Sequence, residues 1–279
     1  MFTSQRVFVS DGGVLTDITL DANDFREGSA SMALTTDDYL YIASERPFNS
    51  RYFKLSAYNA ISANATVEIW GSNGWFTAVD VVDGTNGFSE DGYIRFNLGR
   101  ENSQSWTKQD DSKNVLDVGS QVDVFRMYWL RVSFSADLTG TTALRHIGTL
   151  FSSDNDLFSY YPDLRNTGLM NAWETAKADW IEQSFAAASE ILRELRRKSI
   201  TYSRAGFSLM DVDLYNEASI HKTAQIIYAG LGDSFDTSEA KAAKAFRTAL
   251  DITYHRVDVT GDGQLSQGEK KFRTGFTRR

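Results

Sequence analysis

The residues with the clearest chemical spacing lie near the C-terminus, in DVTGDGQLSQGE (258–269). This segment fits the twelve-residue EF-hand calcium loop, which places oxygen ligands at fixed positions and a glycine at the sharp bend. Ca²⁺ prefers such a set of hard oxygen ligands, the last of them a bidentate glutamate. The predicted ligands are Asp258, Thr260, Asp262, Gln264 through its backbone carbonyl, and Glu269.

Two features of this loop depart from the EF-hand pattern. Thr260 stands where Asp or Asn is usual, and Gly268 with the short KKFRTGF segment disfavours a second helix after the loop. Only one such loop is present, whereas regulatory EF-hands act in pairs, so a calcium switch is disfavoured. Two interpretations stay open: a structural Ca²⁺ site, and an ion-free turn rich in Asp and Gly.

The last ten residues combine two phenylalanines with five cations and no acid. One interpretation is a solvated, frayed end, as chain termini often are. The favoured one is a docking arm, in which the phenylalanines enter a groove and the cations meet an acidic surface. The predicted arm comprises Lys270, Lys271, Phe272, Arg273, Phe276, Arg278 and Arg279.

Nothing in the sequence has the spacing of an enzyme active site. His146, His221 and His255 are dispersed, without the neighbouring ligands that a zinc site needs. There is no nucleophile elbow, phosphate loop or dinucleotide fingerprint, and the chain has no cysteine. We therefore expect a protein that is not an enzyme.

The tryptophans of the first half allow two interpretations. Aromatic rings usually fill the core, and this is favoured for Trp70 and Trp129. Trp75 and Trp106 lie beside Gly, Ser and Asn, so a core position and a sugar-stacking platform are equally open for them.

Short alternating runs predict a β-rich first half. Such runs separated by Gly, Asn, Asp and Ser are typical of two packed antiparallel sheets. The polar stretch 97–119 is predicted to be a loop. The candidate strands are 6–10, 39–44, 52–58, 66–71, 75–82, 92–97 and 128–136.

The hydrophobic period becomes helical after about residue 155. Apolar residues spaced three and four apart predict one long amphipathic helix over 170–199 and a second over 216–232. A third begins at Asp236, three residues before Glu239. The segment 151–168 contains Pro162 and no clear period, so it is predicted to be a linker.

The predicted fold class is α+β with two domains. An N-terminal antiparallel β-sandwich of jelly-roll or immunoglobulin-like type (1–150) is followed by the linker and a C-terminal α-helical bundle (169–257). The EF-hand-like loop and the basic arm occupy 258–279. Positions 1–150 carry 12 Lys and Arg against 19 Asp and Glu, so most of the net charge of −8 lies in the predicted sandwich.

The composition is that of an ordinary globular protein, with 42% hydrophobic and 24% charged residues among 279. The acidic balance argues against a generic nucleic-acid binder. No stretch has the roughly 18–20 apolar residues that a membrane span needs, and no secretion signal is expected. The absence of cysteine fits assembly in a reducing cytoplasm.

The order of elements from about 165 to 279 resembles the head–tail adaptor (connector) proteins of tailed bacteriophages. The resemblance is carried by a long first helix, ASIHKTAQIIYAGLGDSFD, SEAKAAKAFRTALDITYHR, the loop DVTGDGQ and a basic end. It implies a ring of twelve copies in the virion neck, between the portal and a downstream tail protein, with DNA passing through the lumen without sequence-specific binding.

The resemblance implies that Lys270 to Arg279 dock to the portal and that the 170–199 helix lies in the ring. The departure from the family is the N-terminal sandwich, which many adaptors lack. An alternative function is a calcium-dependent module with a helical appendage that binds carbohydrate on a host surface. It shares the β-rich domain and the calcium loop.

Overall fold

A computed structural model of the chain describes residues 5–26, 28–45, 48–71, 74–97, 106, 127–197 and 212–252. The fold is mixed α+β, with two antiparallel sheets and, in these residues, six α-helices, most of them in the C-terminal half. The contacts divide the described residues into two compact units, 5–148 and 149–252.

The first sheet has six strands in the order β2-β1-β4-β10-β6-β7. All the pairings are antiparallel, and β10 lies between β4 and β6 in the middle of the sheet. The nearly continuous apolar sequence of β10 suits this central position, because such a strand needs cover on both faces. The strands are β1 (Gln5–Asp11), β2 (Val14–Asp17), β4 (Tyr39–Ser44), β6 (Ala65–Gly71), β7 (Gly74–Thr77) and β10 (Tyr128–Phe134).

The second sheet has five antiparallel strands in the order β3-β11-β5-β9-β8. A short helix, α1 (Thr19–Asn23), belongs to the same unit and contacts β11. The strands are β3 (Ala30–Ser31), β5 (Ser50–Ala57), β8 (Val79–Asp83), β9 (Gly92–Asn97) and β11 (Ala143–Gly148).

One face of each sheet contributes to a single hydrophobic core. Successive side chains of a strand point to opposite faces, so Leu130 and Val132 of β10 enter the core while Trp129 and Arg131 lie on the other face. Phe53 and Leu55 of β5 supply the core from the second sheet. We call the face of the first sheet that carries Trp129 and Arg131 its outer face.

The strand predicted over 75–82 is two strands in different sheets. β7 pairs with β6 in the first sheet, and β8 pairs with β9 in the second. The chain changes sheet at Ala78, and Asp80 has a positive φ of 50°. The bend contains no glycine, proline or asparagine, so the sequence pattern alone did not reveal it.

The second unit is helical. α5 contacts α4 on one side and α6 on the other, and a 3₁₀ turn at Asp233–Phe235 joins α5 to α6. Its core includes Trp180, Ile220 and Ile227, all of which are buried. The helices are α2 (Asp154–Tyr160), α3 (Thr167–Trp173), α4 (Ile181–Arg197), α5 (Asn216–Leu231) and α6 (Asp236–Ile252).

The single long helix predicted over 170–199 is wrong: α3 ends at Trp173 and α4 begins at Ile181. Between them Glu174 is extended and Ala176 has a φ of 63°. The rings of Trp173 and Trp180 meet edge to face with centroids 5.7 Å apart. Residues seven apart in a continuous helix lie about 10 Å apart along the axis, so this contact requires the break.

The segment 151–168, predicted to be a linker, has regular structure of its own. It contains α2, capped by Ser153, and a 3₁₀ turn at Pro162–Arg165. Leu157 and Leu164 of this segment are fully buried in the helical core. Pro162 begins the turn, as proline does at a first helical position, and does not mark an irregular connection.

Candidate functional site

The outer face of the first sheet carries a cluster of large aromatic side chains. Phe8, Tyr41 and Arg131 are cross-strand neighbours on β1, β4 and β10, and Arg131 pairs in turn with Glu68 on β6. Residues directly opposite each other in a sheet point to the same face. Ring centroids of neighbouring members are 5.4–5.9 Å apart. The aromatic members are Phe8, Tyr39, Tyr41, Trp70, Trp75 and Trp129.

An ion pair lies within this cluster. The Nε of Arg131 donates to Oε2 of Glu68 over 2.6 Å. The guanidinium carbon is 4.1 Å from the ring centroid of Tyr39 and 4.6 Å from that of Trp75. Burial alone lowers the pKa of Arg131, but the hydrogen bond and the charge of Glu68 outweigh it and raise that pKa. The guanidinium is therefore a fixed cation in contact with two rings.

Part of the hydrogen-bonding capacity of this pair is unused by the described residues. They offer no partner to the two terminal nitrogens of Arg131 or to Oε1 of Glu68. The indole Nε1 of Trp75 and that of Trp129 are buried and likewise have no partner there. The side chains of Arg131 and Glu68 are 14% and 21% exposed, so a ligand at the outer face can reach them.

This arrangement suits the binding of a polar ligand with an apolar face. Half-buried rings at Tyr39 and Trp75 offer apolar surface, and the ion pair offers several donors and one acceptor. We name Tyr39, Glu68, Trp75 and Arg131 the outer-face site.

The helical unit presents a polar groove between α4 and α6, floored by α5. Its volume is about 480 Å³. The ammonium of Lys222 lies 5.3 Å from the ring centroid of Phe246 and donates to Gln225 over 3.0 Å. Its walls carry both cations and anions, as does a surface that meets another protein by ion pairs. The charged lining residues are Glu194, Arg197, Lys222, Arg247 and Asp251.

His221 of α5 is held in a hydrogen-bonded group. Its Nδ1 is 2.8 Å from the hydroxyl of Tyr161, and its Nε2 is 3.7 Å from Oε1 of Glu217. Burial lowers the pKa of His221, and the nearby charge of Glu217 opposes that shift without cancelling it. In the same unit the hydroxyl of Tyr228 donates to Asp163 over 2.8 Å. These bonds fasten α2 and the following turn to α5, which is a structural role.

The residues predicted to bind calcium and the portal lie outside the described residues. This applies to Asp258, Thr260, Asp262, Gln264 and Glu269, to the arm from Lys270 to Arg279, and to His255. His146 and His221 belong to different units. No group of three or more metal-binding side chains occurs in the described part of the chain.

The structure places the tryptophans of the first half in the core or the outer-face cluster. Trp106 is buried in the core and donates to the carbonyl of Trp129 over 3.2 Å. Trp129 is fully buried and Trp70 is 9% exposed, both in the outer-face cluster, where Trp75 is only partly buried. The sequence did not reveal the pairing of Arg131 with Glu68. The alternation of side chains is visible within each strand, but the register between the two strands is not.

No protein-family model, curated protein or solved structure matches this chain. Among the described helices, none has both the length and the apolar character needed to cross a membrane.

Proposed function

We propose that this chain is a structural protein of a tailed-phage virion: a head–tail adaptor that forms a ring in the neck, between portal and tail. The observation that carries the proposal is the order and packing of α4, α5 and α6. They occupy the segments whose sequence resembles the adaptors, and α5 packs between the other two. The resemblance implies twelve copies, assembled in the host cytoplasm, with genome DNA passing through the lumen.

We also propose an architecture for each of the two units. Because apolar side chains of both sheets share one core, we propose a β-sandwich of jelly-roll or immunoglobulin-like type. The helices of the second unit would form the bundle that builds the ring. The acidic sandwich, with 12 cations against 19 anions in positions 1–150, would be the part that many adaptors lack.

The surface of the helical unit supports a role in subunit assembly. The groove between α4 and α6 carries charges of both signs, which favours a specific, polar contact with another protein over the burial of a small ligand. The cationic arm from Lys270 to Arg279 is proposed to dock to an acidic surface of the portal. The loop 258–269 is proposed to hold Ca²⁺ in a structural role.

The assembly proposal is tested by light scattering and electron microscopy of the purified protein, alone and mixed with the portal protein of the same phage. We expect rings, or ring formation on the portal. A variant with Arg197→Glu and Arg247→Glu reverses two charges of the groove and should weaken assembly, whereas Arg95→Glu, in the other unit, should not. A protein that stays monomeric and ignores the portal contradicts the proposal.

A second candidate function is a calcium-dependent module that binds carbohydrate on a host surface. One observation favours it, namely the half-buried aromatic rings beside an incompletely paired guanidinium on the outer face of the first sheet. The two functions are separable, because the first predicts portal-dependent assembly and the second predicts glycan binding by the monomer.

A further inference from the structure

We propose that the outer-face site binds a neutral pyranose sugar, with Arg131 and Glu68 hydrogen-bonding two adjacent hydroxyls and Tyr39 and Trp75 contacting the ring. This inference rests on the second candidate function. It names the residues and the ligand class and does not require the calcium loop.

The ion pair offers the donors and the acceptor that a vicinal diol can satisfy. The bond from Nε of Arg131 to Oε2 of Glu68 fixes both groups, leaving the terminal guanidinium nitrogens as donors and Oε1 as an acceptor toward a ligand. A hydroxyl both donates and accepts, so neighbouring hydroxyls of one sugar can satisfy both groups. A purely apolar ligand would leave these groups unsatisfied, at a cost in affinity.

The rings provide the second half of the recognition. Tyr39 and Trp75 each contact the guanidinium and are only partly buried. The C–H face of a pyranose is apolar and matches exposed aromatic surface.

Charge selects a neutral sugar over an acidic one. Glu68 balances Arg131 within the site, and positions 1–150 carry seven more acidic than basic residues. A ligand carboxylate would compete with Glu68 for the guanidinium and would enter an acidic surrounding. We therefore expect the methyl glycoside of a neutral hexose to bind more tightly than the corresponding glucuronide.

The test is saturation-transfer-difference NMR of the full chain. The probes are methyl α-D-mannopyranoside, methyl β-D-galactopyranoside, methyl β-D-glucopyranoside and methyl β-D-glucuronide. We expect at least one neutral glycoside to bind with a Kd on the order of 1 mM, as is usual for so small a ligand, and the glucuronide to bind more weakly. Binding should persist in the presence of a calcium chelator.

Two variants locate the site. Arg131→Lys keeps the charge but removes the planar fork, and Glu68→Gln keeps the shape but removes the charge; each should weaken binding about tenfold or more. The matched control is Arg95→Lys, since Arg95 stacks on Tyr93 at 4.5 Å in the other sheet. Circular dichroism establishes that each variant is folded.

The proposal is overturned if no neutral glycoside binds, if the glucuronide binds best, or if folded R131K and E68Q proteins bind as the wild type does. None of these outcomes bears on the adaptor proposal, whose readout is assembly with the portal. Conversely, a protein that binds glycoside through Arg131 but stays monomeric when mixed with the portal supports the saccharide site while contradicting the adaptor.

Discussion

Replacing Gly230 with alanine should destabilise the helical unit, although alanine is ordinarily the better residue in a helix. Gly230 lies in the last turn of α5, and a Cβ atom there would be 2.0 Å from Cζ3 of Trp173. Carbon atoms in contact are about 3.5–4.0 Å apart, so the ring would have to move by about 1.5 Å. That ring already packs edge to face on the fully buried Trp180.

Two opposing effects decide the size of the change. Overpacking costs about 1–3 kcal/mol, and the higher helix propensity of alanine offsets up to about 1 kcal/mol of it. We expect the free energy of unfolding to fall by roughly 1–2 kcal/mol, using these same values. For a domain of 60–100 residues each kcal/mol corresponds to about 4–8 °C in Tm.

The assay is urea unfolding followed by far-UV circular dichroism. Gly140→Ala is the control, because a Cβ there meets nothing within 4 Å, and its stability should be unchanged or slightly higher. In a Trp173→Leu background the ring is gone, so Gly230→Ala should become neutral or stabilising. The reasoning is refuted if G230A alone is as stable as the wild type.

Three further predictions concern acid, calcium and the C-terminal arm. Burial lowers the pKa of His146 to about 4, despite a backbone hydrogen bond with Ala22 and the charge of Asp24; the unfolded pKa is about 6.5. The free energy of unfolding should thus keep its full value above pH ~6.5 and fall by up to about 3 kcal/mol as the pH drops to ~4. In urea unfolding, His146→Gln should flatten this pH dependence. The melting temperature should be higher with calcium than with a chelator. Identical thermal transitions, together with no heat of binding in a calcium titration, would show that the loop holds no Ca²⁺. Replacing Phe272 and Phe276 together with alanine should weaken portal docking in a pull-down without changing the melting temperature, and undiminished docking would refute the arm.

Local sequence patterns predicted the elements that have strong periodicity. The alternation in 39–44, 92–97 and 128–136 corresponds to β4, β9 and β10, and the apolar period after residue 216 corresponds to α5 and α6. Short elements were missed: β2, β3 and α1 have too few residues to show a period. The pairing that holds β3 is with β11, a strand far along the chain.

The errors arose where tertiary contacts decide the local structure. The contact between Trp173 and Trp180 interrupts a helix whose residues show continuous helical spacing. Leu157 and Leu164 are buried by helices far along the chain, which the polar sequence around them does not reveal. The outer-face site was missed for the same reason, because the register between β10 and β6 brings Arg131 to Glu68.

The position of this protein in a phage particle tests the central claim most directly. Electron cryomicroscopy of virions that carry the chain, with a tag on it for labelling, would locate each copy. The adaptor account predicts a ring of density between the portal and the tail, with the helical unit lining it. Density on fibres or on the capsid surface, with none in the neck, would contradict it.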